Sequence, residues 1–373
     1  MNYLLSMGNI RSFCEALIRA GEVILLSGLT IAIVCSTASA QQPLIELSTE
    51  KMTIQGRNLL HDAETCYLQQ RDGRIREVPL KEITSFREVS PRYEPFSTME
   101  LKSELQEEFG RGRQVTLKGE FVLISSSENS RRYAELCDET YRSFQHFFTI
   151  RGFELAKREF PLVVIVFSDM REFATYCKAD KVSFSPLLRG YYHPQTHRVA
   201  LYEQQGLTST KELENTLVHE VTHQLCFDAG LYSRLGDNPK WLVEGLAMIF
   251  EGHQARSTSM KASILSRVNP ERMIWFGKYA DGNRTVGQLE ATVSTDTQFG
   301  TSVLDAYSEA WALTFYLMET RRDQFVAYLK HVAKSSNQKE YSSEERLADF
   351  KQFFGDDTAK LESDFLRFIT KLN

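Results

Sequence analysis

His219-Glu220-Val221-Thr222-His223 sets two imidazoles four residues apart with a carboxylate beside the first. On an α-helix that spacing is one turn plus about 40°, so both rings point the same way. Two neutral imidazoles so placed can share one Zn²⁺. Glu220 is offset by one position and meets a water beside the ion, the place of a general base. A catalytic zinc needs a third protein ligand and an open position. Glu244, within Trp241-Leu242-Val243-Glu244-Gly245-Leu246-Ala247, is the candidate. Residues 224–243 let one helix end and a second, antiparallel helix present the carboxylate. Glu251 lies seven residues further, within about 20° of the same helix face. A carboxylate there can accept the second ring N–H of a ligand histidine; the alternative is a solvated glutamate near a helix end. Cys226 shares the histidine side of its helix and reads as a small buried thiol beside the site.

Two helices must hold these groups. Ser209 with Glu212 reads as a capping box, Gly230 as a stop, and Leu213, Leu217, Val221 and Leu225 as the buried stripe between them. Asn238 reads as the cap of the next helix, with Pro239 first inside it and Gly252 ending it. Upstream, Val115–Ser125 alternates like one strand, and Ser130–Phe148 has helical spacing with Tyr133, Leu136, Cys137, Tyr141 and Phe144 on one side. Pro161–Phe167 is a buried-type strand, and Asp169–Cys177 is helical. Gly190–His193 and Arg198–Tyr202 flank the hairpin signal Pro194-Gln195, with His193 and His197 as surface histidines beside it. From residue 209 onward the pattern is helical. Strands first and helices later predict an α+β domain. Before it, residues 43 to about 90 read as short strands of a small β-rich domain, broken by Ser90-Pro91 and Tyr93-Glu94-Pro95. A short helix follows within 97–113, and the boundary is expected near residue 110. The expected divisions are 1–40, 41–110 and 111–373.

His219-Glu220-x-x-His223 followed by Trp241-Leu242-x-Glu244-Gly245-x-Ala247 resembles the gluzincin zinc peptidases, in particular a bacterial peptidase MA-like group, over roughly residues 115–320. The resemblance implies a zincin, thermolysin-like fold: a small twisted sheet, the active-site helix and a helical C-terminal lobe. It implies zinc on His219, His223 and Glu244, with Glu220 as base and Glu251 matching a glutamate of related gluzincins. It also implies an oxyanion donor from the helical lobe, for which Tyr307, near the start of its helix, is the candidate. The alternative is that Tyr307 joins Trp311, Phe315 and Met318 in one core stripe. Two departures stand out. No Gly-x-Met-Glu-Asn motif is found, so the resemblance does not carry aminopeptidase specificity. Val243 also stands where an asparagine often precedes the ligand glutamate.

A net charge of -5, with basic pairs scattered as at Arg131-Arg132 and Arg321-Arg322, gives no phosphate-binding track, and no nucleic-acid partner is expected. The expected partner is a peptide or protein substrate. Val23–Cys35 is a continuous apolar run, preceded by Arg11 and Arg19 and followed by Ala38-Ser39-Ala40, the order of a secretory signal. Its alternative is an uncleaved anchor. The protein is expected to be exported, without stable membrane insertion after signal removal. Cys66, Cys137, Cys177 and Cys226 then remain, as disulfides or as buried thiols. Two other functions stay open: an exported binding protein with structural zinc, and a hydrolase of non-peptide amides in the cell wall. N-terminal sequencing of the exported protein is expected to read from Gln41; a start at Met1 in a membrane fraction would establish the anchor.

Overall fold

The computed structural model describes residues 42–110, 112–203, 210–252, 263–335 and 340–372. The signal-like residues 1–40, Gln41 and Ser209 lie outside them. The described chain is mixed α+β and divides into two compact units between Leu101 and Lys102. In the first unit β1 (Leu44–Thr49), β2 (Thr53–His61), β3 (Thr65–Gln69), β4 (Ile75–Pro79) and β5 (Ile83–Ser90) form an antiparallel sheet in the order β4-β3-β2-β1-β5. Alternation builds it: Ile45 and Leu47 on β1 and Cys66 and Leu68 on β3 close a small core with Ile54 and Val78.

Helix α1 (Thr98–Phe109) spans the division and leads into the second unit. Residues 115–125 are two strands rather than the single one expected. Gly119 takes φ +53°, a turn conformation costly for other residues. β6 (Gln114–Lys118) and β7 (Phe121–Ser125) therefore pair as a hairpin. Then follow α2 (Ser130–Thr149), β8 (Leu162–Phe167), α3 (Met170–Ala179), β9 (Gly190–His193) and β10 (Arg198–Tyr202). The sheet order is β6-β7-β8-β10-β9, with β8 parallel to both neighbours and β9 an antiparallel edge. Parallel strands are covered on both faces, and β7, β8 and β10 are buried at every position. Leu162, Val164, Val166, Val199 and Leu201 face the main core, while Phe173 of α3 meets Phe167, Tyr191 and Tyr202 on the other side.

The rest is helical: α4 (Thr210–Asp228), α5 (Lys240–Glu251), α6 (Ile264–Arg267), α7 (Pro270–Gly282), α8 (Gln288–Ser294), α9 (Gln298–Thr301), α10 (Val303–Thr320), α11 (Arg322–Ser335), α12 (Ser343–Phe354) and α13 (Thr358–Thr370). Among the described residues no helix is long and apolar enough to cross a membrane. Cys66, Cys137, Cys177 and Cys226 are buried free thiols. Burial pushes Cys66 and Cys177 up to about 11 and the other two higher still.

Helices α5 and α10 press together at Gly245. A Cβ there would collide with Thr314 Oγ1 and lie 2.6 Å from the Ala310 carbonyl oxygen. Alanine gains about 1 kcal/mol over glycine in a helix interior, but overpacking costs about 1–3 kcal/mol, and a backbone carbonyl gives way poorly. Gly245→Ala is therefore expected to lower the melting temperature by several degrees in calorimetry. Unchanged melting would mean that α5 and α10 can separate freely.

Candidate metal centre

Helix α4 is oriented by its apolar stripe and by one amide. Leu213, Leu217, Val221 and Leu225 are buried in the core. Beside His223, the buried Gln224 donates from Nε2 to Val163 O (3.1 Å) and to His197 O (2.8 Å). These bonds tie the helix to the starts of β8 and β10 and stop it rotating about its axis. His219 and His223 thereby face α5, their ring centroids 4.6 Å apart.

The start of α5 differs from expectation. Asn238 does not cap it. Its amide closes the preceding loop instead, accepting from Ser233 N–H (3.1 Å) and donating to Ser233 O (2.8 Å). The helix begins at Lys240, whose N–H donates to Asp296 Oδ1 (3.0 Å). A carboxylate from a distant loop thus satisfies one of the open N–H groups. Arg346 holds Asp296 in place at 3.1 Å.

The three expected ligands converge. His219 Nε2 lies 3.1 Å from His223 Nε2 and 3.2 Å from Glu244 Oε2, and His223 Nε2 lies 3.6 Å from the same oxygen. A tetrahedral ion with bonds of about 2.05 Å spaces its ligand atoms about 3.3 Å apart. One proton on His219 Nε2 can bridge only part of such a triangle, whereas a dication satisfies all three atoms. The donor set, two imidazoles and one carboxylate, suits Zn²⁺. Among the described residues this is the group that could hold a metal; Cys226 is buried but not one of it.

The surroundings polarise these groups. Burial alone would lower His219, but hydrogen bonds to Glu244 and Glu251 raise it well above the ordinary histidine range. Burial alone would raise Glu244, yet the two histidines hold it well below the carboxylate range. Glu251 is not a solvated surface residue. Its Oε1 lies 2.9 Å from His219 Nδ1, and Arg272 and Asn269 bond to it from behind. Against burial, His219 and Arg272 hold Glu251 down at about 2. His223 Nδ1, by contrast, has no hydrogen-bond partner among the described residues. Burial raises Glu220 while the Tyr192 backbone N–H donates to it. Tyr307 lines a cleft of about 550 Å³ together with His219, Glu220 and Glu251. Its hydroxyl is within bonding reach of Glu244, and burial, Glu244 and Glu220 all raise its pKa. Phe299 meets its ring edge-on at 5.5 Å. The tyrosine is therefore half in the core and half in the site. Trp311 and Phe315 on its helix are fully core.

The profile of a family described as "Protein of unknown function (DUF1570)" matches residues 214–338. That span holds all six expected site residues as well as Asn269 and Arg272. No curated protein matches the chain.

The hairpin beside Glu220 has its own support. His197, expected at the surface, is buried, with φ +58°. Its Nδ1 lies 2.8 Å from the Tyr192 hydroxyl and its Nε2 3.5 Å from Asp228 Oδ1. Burial first, then Arg234 and Arg158, push it down to about 4 against the pull of Asp228. The unfolded chain takes up this proton near pH 6.5 and the folded chain only near 4. The contribution is thus whole above pH 6.5 and is lost as pH falls toward 4, on the order of 3 kcal/mol. His197→Asn tolerates the left-handed backbone and is expected to flatten the fall of denaturant stability between pH 6.5 and 4. Equal slopes in variant and wild type would remove His197 as the cause.

Proposed function

We propose that the protein is a zinc-dependent peptidase of gluzincin type, with a thermolysin-like catalytic domain, acting outside the cytosol. The observation that carries this is the near-tetrahedral spacing of His219, His223 and Glu244 beside Glu220 and Tyr307 in an open cleft. A zinc ion held by the three ligands supplies a Lewis acid for the scissile carbonyl and lowers the pKa of water toward 7. Glu220 accepts a proton from the attacking water and passes it to the leaving amine nitrogen. Its raised pKa suits it to both halves of that transfer. Tyr307 stays protonated and donates to the oxyanion that develops at the carbonyl. The substrate backbone is held by β9. That strand is the edge of its sheet, paired with β10 on one side and with no strand on the other among the described residues. An extended peptide can therefore pair along it by strand addition.

Zinc content and a peptide-library digest test the reading together. Glu244→Ala is expected to lose zinc, because one of three ligands is gone. Glu220→Gln is expected to keep zinc and lose cleavage. Tyr307→Phe should keep zinc and melting temperature while turnover falls about 10²–10³-fold. Full zinc occupancy in Glu244→Ala, or normal turnover in Glu220→Gln, would overturn the assignment. Bound zinc with no cleavage by the wild type would leave a zinc-containing binding protein.

A further inference from the structure

Asn269 sits at the mouth of α7, yet only 5% of it is exposed. Its Oδ1 accepts the Arg272 N–H (3.3 Å) and so caps the helix. Its Nδ2 donates to Glu251 Oε2 (3.0 Å) and to Met248 O (3.3 Å). The Arg272 side chain, from the same turn, approaches both Glu251 oxygens at 3.3 and 3.4 Å. With Oε2 engaged by Asn269, Oε1 is left to face His219 Nδ1 at 2.9 Å. Serine and aspartate cap helices as well as asparagine does, and threonine somewhat less well. Of these four, asparagine alone offers a carbonyl acceptor together with two N–H donors. A cap alone does not require that chemistry; a cap that must also hold a carboxylate does.

We propose that Asn269 is a positioning residue for the metal centre. By holding Oε2 it sets the rotation of the Glu251 carboxylate. Through Oε1 it sets the ring plane and tautomer of His219, keeping the Nε2 lone pair aimed at the ion. The other histidine cannot supply this rigidity, since His223 Nδ1 has no partner among the described residues. The inference rests on the metal-centre reading above.

The test is zinc affinity of the full chain by chelator competition, with the melting temperature of the metal-free protein measured alongside. Asn269→Ser keeps the cap and loses the reach to Glu251. Asn269→Asp keeps the cap and places a second carboxylate against Oε2. Both are expected to weaken zinc binding about 10- to 100-fold; metal-free melting changes little in Asn269→Ser and falls in Asn269→Asp, whose buried carboxylate faces that of Glu251. In a Glu251→Gln background, Asn269→Ser should cost less than about twofold, because both positions act through one network. Wild-type affinity in Asn269→Asp would overturn the proposal, or in Asn269→Ser if the aspartate variant does not fold. So would lower metal-free melting with affinity intact, or full additivity with Glu251→Gln. Absence of zinc binding by the wild type would instead bring down the metal centre itself, and this inference with it.

Discussion

Helix α4 carries its apolar stripe and its two imidazoles on neighbouring faces, and the angle between those faces is fixed by helical geometry. Once Leu217, Val221 and Leu225 are buried and Gln224 is bonded to β8 and β10, the directions of His219 and His223 follow without further adjustment. A rotation of the helix by even one residue, about 100°, would turn both rings away from α5 and Glu244. Everything else at the centre is arranged around that fixed pair. Helix α5 must lie close enough to bring Glu244 to them, and it is held there from behind by its contact with α10 at Gly245 and from its end by Asp296.

The two imidazoles are not equivalent. His219 lies between two carboxylates, Glu244 on one nitrogen and Glu251 on the other, and the second is backed by Arg272 and Asn269. His223 meets Glu244 and His219 through Nε2, and its Nδ1 has no hydrogen-bond partner among the described residues. Polar groups alternate outward from His219: the imidazole, then the Glu251 carboxylate, then the Arg272 guanidinium. In a buried site such alternation keeps each charge paired, where an isolated one would be expelled or neutralised.

What could be read in the sequence was what lies within a turn or two of chain. The spacing of His219 and His223, the stripe beneath them, the buried run of β8 and the hairpin around Pro194-Gln195 are local periodicities. Glu244 could be placed because Pro239 and Gly252 bracket a second helix that follows directly, and because its surroundings resemble the gluzincin pattern. Partners brought together by packing were not legible. Nothing near Lys240 announces that Asp296 will cap it, and the nearby Asn238 has the chemistry of a cap but is used to close a loop. Asn269 and Arg272 reach Glu251 from a helix whose own sequence shows only an ordinary start. His197 looked superficial because it adjoins a turn, but Tyr192 of β9 and Asp228 of α4 meet its ring and it is buried. At 115–125 alternation continued across a glycine, so two strands read as one.

The four buried thiols have a consequence for where this chain can acquire its shape. Each is buried and held protonated, so none is a ready nucleophile for exchange with a disulfide. No covalent crosslink among them contributes to the described fold. Its stability is therefore set by packing and indifferent to the thiol–disulfide potential of its surroundings. The same native state is available under glutathione as under air, and an oxidant meeting the folded protein finds these sulfurs out of reach.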